Sequence, residues 1–192
     1  LLLACSSITG AVAQQAAERV VLSPEHPKVG DRISVLYRTA LGPSFIRNAV
    51  GLSLDLLIVH RDRTPAQEFR QLPMTKRGGD WEATFSVQNP LTTLMLVRFV
   101  AGDSVDDDGD NVWAAMIHDE QGRPVRGAHL AMAGLYQNGI ASFKRPRDND
   151  LRQKELRDEL AFSPDDWDAA TALWTAMPWK EKRDSLAKVL KP

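Results

Sequence analysis

Five carboxylates crowd one short stretch, Asp103-Ser-Val-Asp106-Asp107-Asp108-Gly109-Asp110-Asn111. Like charges this close repel unless solvent or a cation screens them. Calcium favours clustered oxygen ligands with a glycine at the sharp turn. Asp103, Asp106, Asp108 and Asp110 are therefore candidate calcium ligands. The EF-hand template does not fit: with Gly109 at its sixth position, Ser104 falls at the first and Ala115 at the twelfth, where a bidentate glutamate belongs. A solvated, acidic hairpin tip explains the same residues without metal, and no other cofactor is implied.

The four histidines, His26, His60, His118 and His129, show no H-E-x-x-H or related spacing, so the sequence predicts no zinc site. His118 and Asp119 are adjacent and could form an acid–base pair, which with the aspartate loop would serve a metal-dependent hydrolase. They also sit where a strand ends beside Gly122, and polar residues belong there in any case. No nucleophile elbow and no phosphate-cradling glycine loop is present. Trp81 and Trp113 could stack on a sugar ring if they face outward, but both lie in the apolar register of strands, which favours core packing. Lys144, Arg145 and Arg147 read as a solvated linker.

The N-terminal residues carry a different chemistry. Leu1-Leu-Leu-Ala-Cys5 followed by Ala11-Val-Ala13 has the apolar run and small-residue pair of a secretory signal. Leu2-Leu3-Ala4-Cys5-Ser6 also reads as a lipobox that would place a lipid on Cys5, the expected route to a membrane. The expected location is the periplasm or cell envelope. Cys5 is the single cysteine, so the chain can form neither an intrachain disulfide nor a C-x-x-C redox pair. A net charge of −1 offers no electrostatic basis for binding nucleic acid.

Strands must position these groups. Ile33, Val35 and Tyr37 alternate with polar residues, as do Trp81, Ala83, Phe85 and Val87, the period-2 mark of half-buried strands. Residues 50–60 carry Leu52, Leu54, Leu56 and Ile58 on one parity, with Leu57 and Val59 filling the other near the end, and 94–101 are apolar at almost every position except Arg98; both read as strands covered on both faces. Gly78-Gly79 supplies a tight hairpin, and Pro73 pushes residues 67–75 toward a sheet edge. Several short strands with turn signals and no intervening helical pattern predict an antiparallel β-sandwich over residues 18–127. Residues 1–17 are set apart as a signal remnant or tether.

Residues 128–192 read as a small helical segment: 128–137 with a stop at Asn138-Gly139, then 151–162 with Leu156 and Leu160 a turn apart. A third helix is expected to begin at Ser163 as cap with Pro164 in its first turn. Its buried stripe would be Trp167, Ala170, Leu173, Trp174 and Met177, with Trp179, Leu186 and Leu190 forming another beyond Pro178.

Four segments together carry a family likeness: Ser23-Pro-x-x-Pro27-x-x-Gly30-Asp31, Gly78-Gly-Asp-Trp81-Glu-Ala-Thr-Phe85, Ala101-Gly-Asp103 to Asn111-x-Trp113, and Asp119-x-x-Gly122-Arg-Pro-Val-Arg-Gly127-Ala128. They resemble the N-terminal region of exported bacterial thioredoxin-like proteins. That resemblance implies an immunoglobulin-like sandwich and helical connector ahead of a thioredoxin-fold domain that exchanges thiols and disulfides. The C-x-x-C pair of that chemistry is absent here. The implied role is a non-catalytic accessory or interaction module, with a protein partner or a downstream thioredoxin-like domain. The same strand grammar is similar to sandwich modules beside glycan-active enzymes, which leaves carbohydrate binding as the alternative.

Overall fold

The computed structural model describes residues 18–61 and 66–183. Cys5, the Ala11-Val-Ala13 pattern, Leu186 and Leu190 lie outside the described residues. Nine strands form two antiparallel sheets among those described: β1 (Val20–Ser23), β2 (Arg32–Tyr37), β3 (Ser53–His60), β4 (Gln67–Pro73), β5 (Thr75–Arg77), β6 (Asp80–Ser86), β7 (Thr92–Ala101), β8 (Ser104–Asp106) and β9 (Trp113–Met116). One sheet runs β1-β2-β6-β5. The other runs β4-β3-β7, with β8 and β9 both pairing the far side of β7. That order matches the A-B-E-D and C′-C-F-G sheets of an immunoglobulin-like sandwich.

The alternating strands pack as their period dictates. Ile33, Val35 and Tyr37 face Leu54, Leu56, Ile58, Met95, Val97 and Phe99 across the sandwich, all fully buried. Residues 67–77 do not form one strand. Pro73, which has no N–H to continue a ladder, ends β4. Met74 donates its amide to Leu52 O at 2.8 Å, and the chain crosses to the other sheet as β5.

A one-turn helix, α1 (Ser44–Arg47), inserts Ile46 into the sandwich core. After Gly127 come α2 (Ala128–Asn138), α3 (Asn149–Phe162) and α4 (Trp167–Ala176). Helix α2 covers the outer face of the second sheet, where Leu57, Leu94 and Leu96 meet Met132, Leu135 and Phe143. This cover is why β3 and β7 are apolar on both parities.

The third helix starts later than its sequence suggests. Ser163 closes α3, donating its amide to Glu159 O at 2.7 Å, and Asp166 caps α4 by accepting from Ala169 N at 3.0 Å. The expected tryptophan stripe is also rotated. Helix α4 packs on α3 through Ala169, Ala172, Leu173 and Ala176, mostly small side chains that let the two backbones approach. Trp167 and Trp174 are left 82% and 41% exposed, and Trp179 is 74% exposed.

Candidate functional site

A groove of about 690 Å³ lies between an edge strand of each sheet, β1 on one side and β9 on the other. It collects Asp108, Trp113, His118, His26 and Arg145, all marked by the sequence, together with Arg19. Both ends of its β9 wall are tied down: Val112 donates its amide to Lys144 O at 3.1 Å, and His118 donates its amide to Pro27 O at 2.8 Å. The basic linker is part of this closure and is not merely solvated. Arg145 donates to Val112 O at 3.1 Å and to the Tyr136 hydroxyl at 3.0 Å, while Arg147 donates to Gln137 O at 3.0 Å.

Three of the five carboxylates of the aspartate loop are engaged by groups of the chain itself. Asp106 is buried and accepts from the Tyr37 hydroxyl and from Asp108 N at 3.2 Å. Burial, then this bonded carboxylate, push the Tyr37 hydroxyl well above the usual tyrosine range. Asp108 pairs with Arg19, whose guanidinium also stands 3.6 Å from Asp106. Asp107 accepts from Asp110 N at 3.1 Å, and Asp103 and Asp110 are exposed. Of the four candidate calcium ligands, Asp106 and Asp108 thus share the Arg19 guanidinium, while Asp103 and Asp110 stand exposed.

The tryptophans divide similarly. Trp81 is 4% exposed and its ring belongs to the sandwich core. Trp113 is partly buried with its edge-on contact to Phe99 at 5.3 Å, and the Arg19 guanidinium sits 5.1 Å from its ring centroid. The ring face that a sugar would stack upon already carries a cation.

His118 and Asp119 are neighbours in sequence, but their side chains have different surroundings. Asp119 accepts from the amides of Gln121 and Arg123, both at 2.9 Å, and from the Arg123 guanidinium. These bonds, led by the Arg123 amide, hold its carboxyl below the usual carboxylate range. The His118 ring instead meets that of His26 at a tilt of 47° with centroids 4.5 Å apart, and its Nδ1 is buried without a hydrogen-bond partner. Burial, reinforced by the neighbouring His26, holds the His118 imidazole below its ordinary value.

The direction fixes a pH dependence. Below about pH 6.5, the ordinary histidine value, the unfolded chain takes up a proton that folded His118 resists. The stability it contributes is therefore complete above that pH and is lost as the pH falls toward the lowered folded value. His118→Gln is expected to flatten the fall in urea midpoint between pH 7 and pH 5.5. An identical slope in wild type and variant would show that His118 protonates freely in the folded chain.

A second cleft, of about 620 Å³, opens where the sandwich meets the starts of α2 and α4. Arg126, Asp165, Asp166 and Trp167 stand on its walls, and Arg126 reaches Asp165 at 3.1 Å and Asp166 at 3.6 Å. Near it, His129 Nδ1 lies 2.6 Å from Glu155 Oε2, and Asp158 completes a cluster whose donor atoms all fall within 4.8 Å of one another. Glu155 is the main reason the His129 imidazole titrates above its ordinary value. Motif spacing missed this group because His129 and its two acids stand on different helices. The only sequence signal is the Glu155-x-x-Asp158 step, which places two carboxylates on one helix face. Comparison with protein-family models, with curated proteins and with solved structures gave no match for this chain.

Proposed function

We propose that this chain is a non-catalytic accessory module of the bacterial cell envelope whose helical end docks a protein partner, a thioredoxin-fold oxidoreductase domain. The carrying observation is the exposure of Trp167, Trp174 and Trp179 at 82%, 41% and 74% on α4 and the helical residues that follow Pro178. Tryptophan is the side chain most enriched among residues that dominate protein interfaces, because its large ring gains most when a partner removes it from water. The sandwich supplies the rigid base. Its own two candidate tryptophans are committed, Trp81 to the core and Trp113 to Arg19 and Phe99, which disfavours the sugar-binding reading. The Asp119 carboxylate is taken up by Arg123 and the Gln121 amide while His118 Nδ1 has no hydrogen-bond partner, which disfavours the hydrolase reading in the same way.

The test uses an exported thioredoxin-fold domain bearing C-x-x-C, added in trans. Binding is expected to shift the tryptophan emission of the wild-type chain, and Trp167→Ser with Trp179→Ser is expected to weaken it by at least about tenfold. The chain alone is expected to give no turnover in a disulfide-reduction assay. Turnover by the chain alone, or full-strength binding by the double variant, would overturn the reading.

A further inference from the structure

We propose that His129, Glu155 and Asp158 form a zinc-binding site at the junction of α2 and α3. One imidazole nitrogen and two carboxylates bring their donor atoms within 4.8 Å of one another. A tetrahedral zinc ion holds its nitrogen and oxygen ligands about 3.4 Å apart, given metal–ligand bonds of roughly 2.1 Å. His129 and Glu155 already stand closer than that, at 2.6 Å. The remaining closure falls to Asp158, whose side chain is 39% exposed and is held only by the exposed Lys154 ammonium.

The backbone beneath the site is fixed. Glu159, one residue beyond Asp158, accepts from the amides of Gly127, His129 and Leu130 at 2.7, 3.2 and 3.3 Å. The first turn of α2, which carries the imidazole, is therefore clamped to the same turn of α3 that carries both acids. Ligands held on rigid elements lose little freedom when a metal arrives. The imidazole selects the ion: nitrogen with two carboxylates suits zinc, whereas calcium and magnesium prefer oxygen alone. Without metal the same groups satisfy one another, His129 with Glu155 and Asp158 with Lys154 at 2.7 Å. Zinc takes the place of the proton on His129 and displaces the Lys154 ammonium from Asp158, leaving a fourth position open to water.

The test is a titration of the full chain with zinc chloride, read by calorimetry and by thermal unfolding. One saturable equivalent is expected, with a rise of about 5 °C in melting temperature at saturating zinc, and no rise with calcium. Asp158→Asn, a change at a partly exposed position, is expected to preserve the metal-free melting temperature and weaken zinc about tenfold or more. His129→Ala is expected to abolish the zinc-dependent rise. Absence of saturable binding in the wild type would overturn the site, as would wild-type zinc affinity in Asp158→Asn. The docking experiment involves none of these three residues, so the two outcomes are independent.

Discussion

Glu159→Ala is expected to destabilise the protein by about 3 kcal/mol, among the largest single effects in the helical half. Helix α2 begins at Ala128 behind Gly127, whose φ of 85° is left-handed and which has no side chain to cap the helix. The first amides of any helix lack partners within it. Here a carboxylate from α3, fully buried, accepts from three amides at this helix start. It also places a negative charge at the positive end of the α2 dipole. Alanine would leave the buried Gly127 amide without its acceptor, and the partly buried His129 and Leu130 amides without theirs. Glu159→Gln would keep one acceptor oxygen but not the charge, and about half the loss is expected from it.

Urea unfolding reads both variants, with a lower midpoint and an unchanged slope as the expected signature. A loss below about 1 kcal/mol for the alanine variant would mean that water reaches these amides and that the α2–α3 junction is open. The neighbouring Gly127→Ala substitution tests the same junction sterically. A Cβ there would stand 3.0 Å from Arg61 Cδ, on a backbone that disfavours any side chain.

The contrast between the two halves of the chain shows what sequence patterns can carry. Period-2 alternation in β2 and β6 identifies the core face by itself, because a strand's side-chain direction depends only on parity. The covered faces of β3 and β7 are equally legible, since no polar residue but Asp55 and Arg98 interrupts their centres. The helices are less so. Ser163-Pro164 and Asp166 are both plausible helix starts, and the choice rests on Ser163 being used to end α3. The tryptophan stripe fails for a related reason. A helix of this composition can bury either an aromatic or an alanine face, and close contact between α3 and α4 selects the alanines. Glu159 as a cap for Gly127 leaves no local trace whatever, because donor and acceptor meet only when two helices pack.

Arg98→Ala is expected to cost about 3–5 kcal/mol, because it strips the partner from a buried carboxylate. Asp55 is 3% exposed in the middle of β3, where its cross-strand neighbours are Gln71 on β4 and Arg98 on β7. Gln71 Nε2 donates to one carboxylate oxygen at 2.9 Å and Arg98 Nε to the other at 3.0 Å. The guanidinium lies 4.7 Å from the Phe143 ring centroid and donates to Ser142 O at 3.3 Å, so it also fastens the segment after α2 to the sheet. The polar ladder marks one register on strands otherwise apolar on both faces, where a slip would meet little resistance. Replacing both charges, Asp55→Leu with Arg98→Leu, removes the desolvation cost along with the attraction. The double variant is therefore expected to be more stable than Arg98→Leu alone, and the cycle closed with the Asp55→Leu and Arg98→Leu singles is expected to show a coupling of about 2 kcal/mol or more. Strict additivity would mean that Asp55 is hydrated in the folded chain and that Gln71 and water suffice to hold it. The ladder would then have no part in fixing how β3, β4 and β7 align.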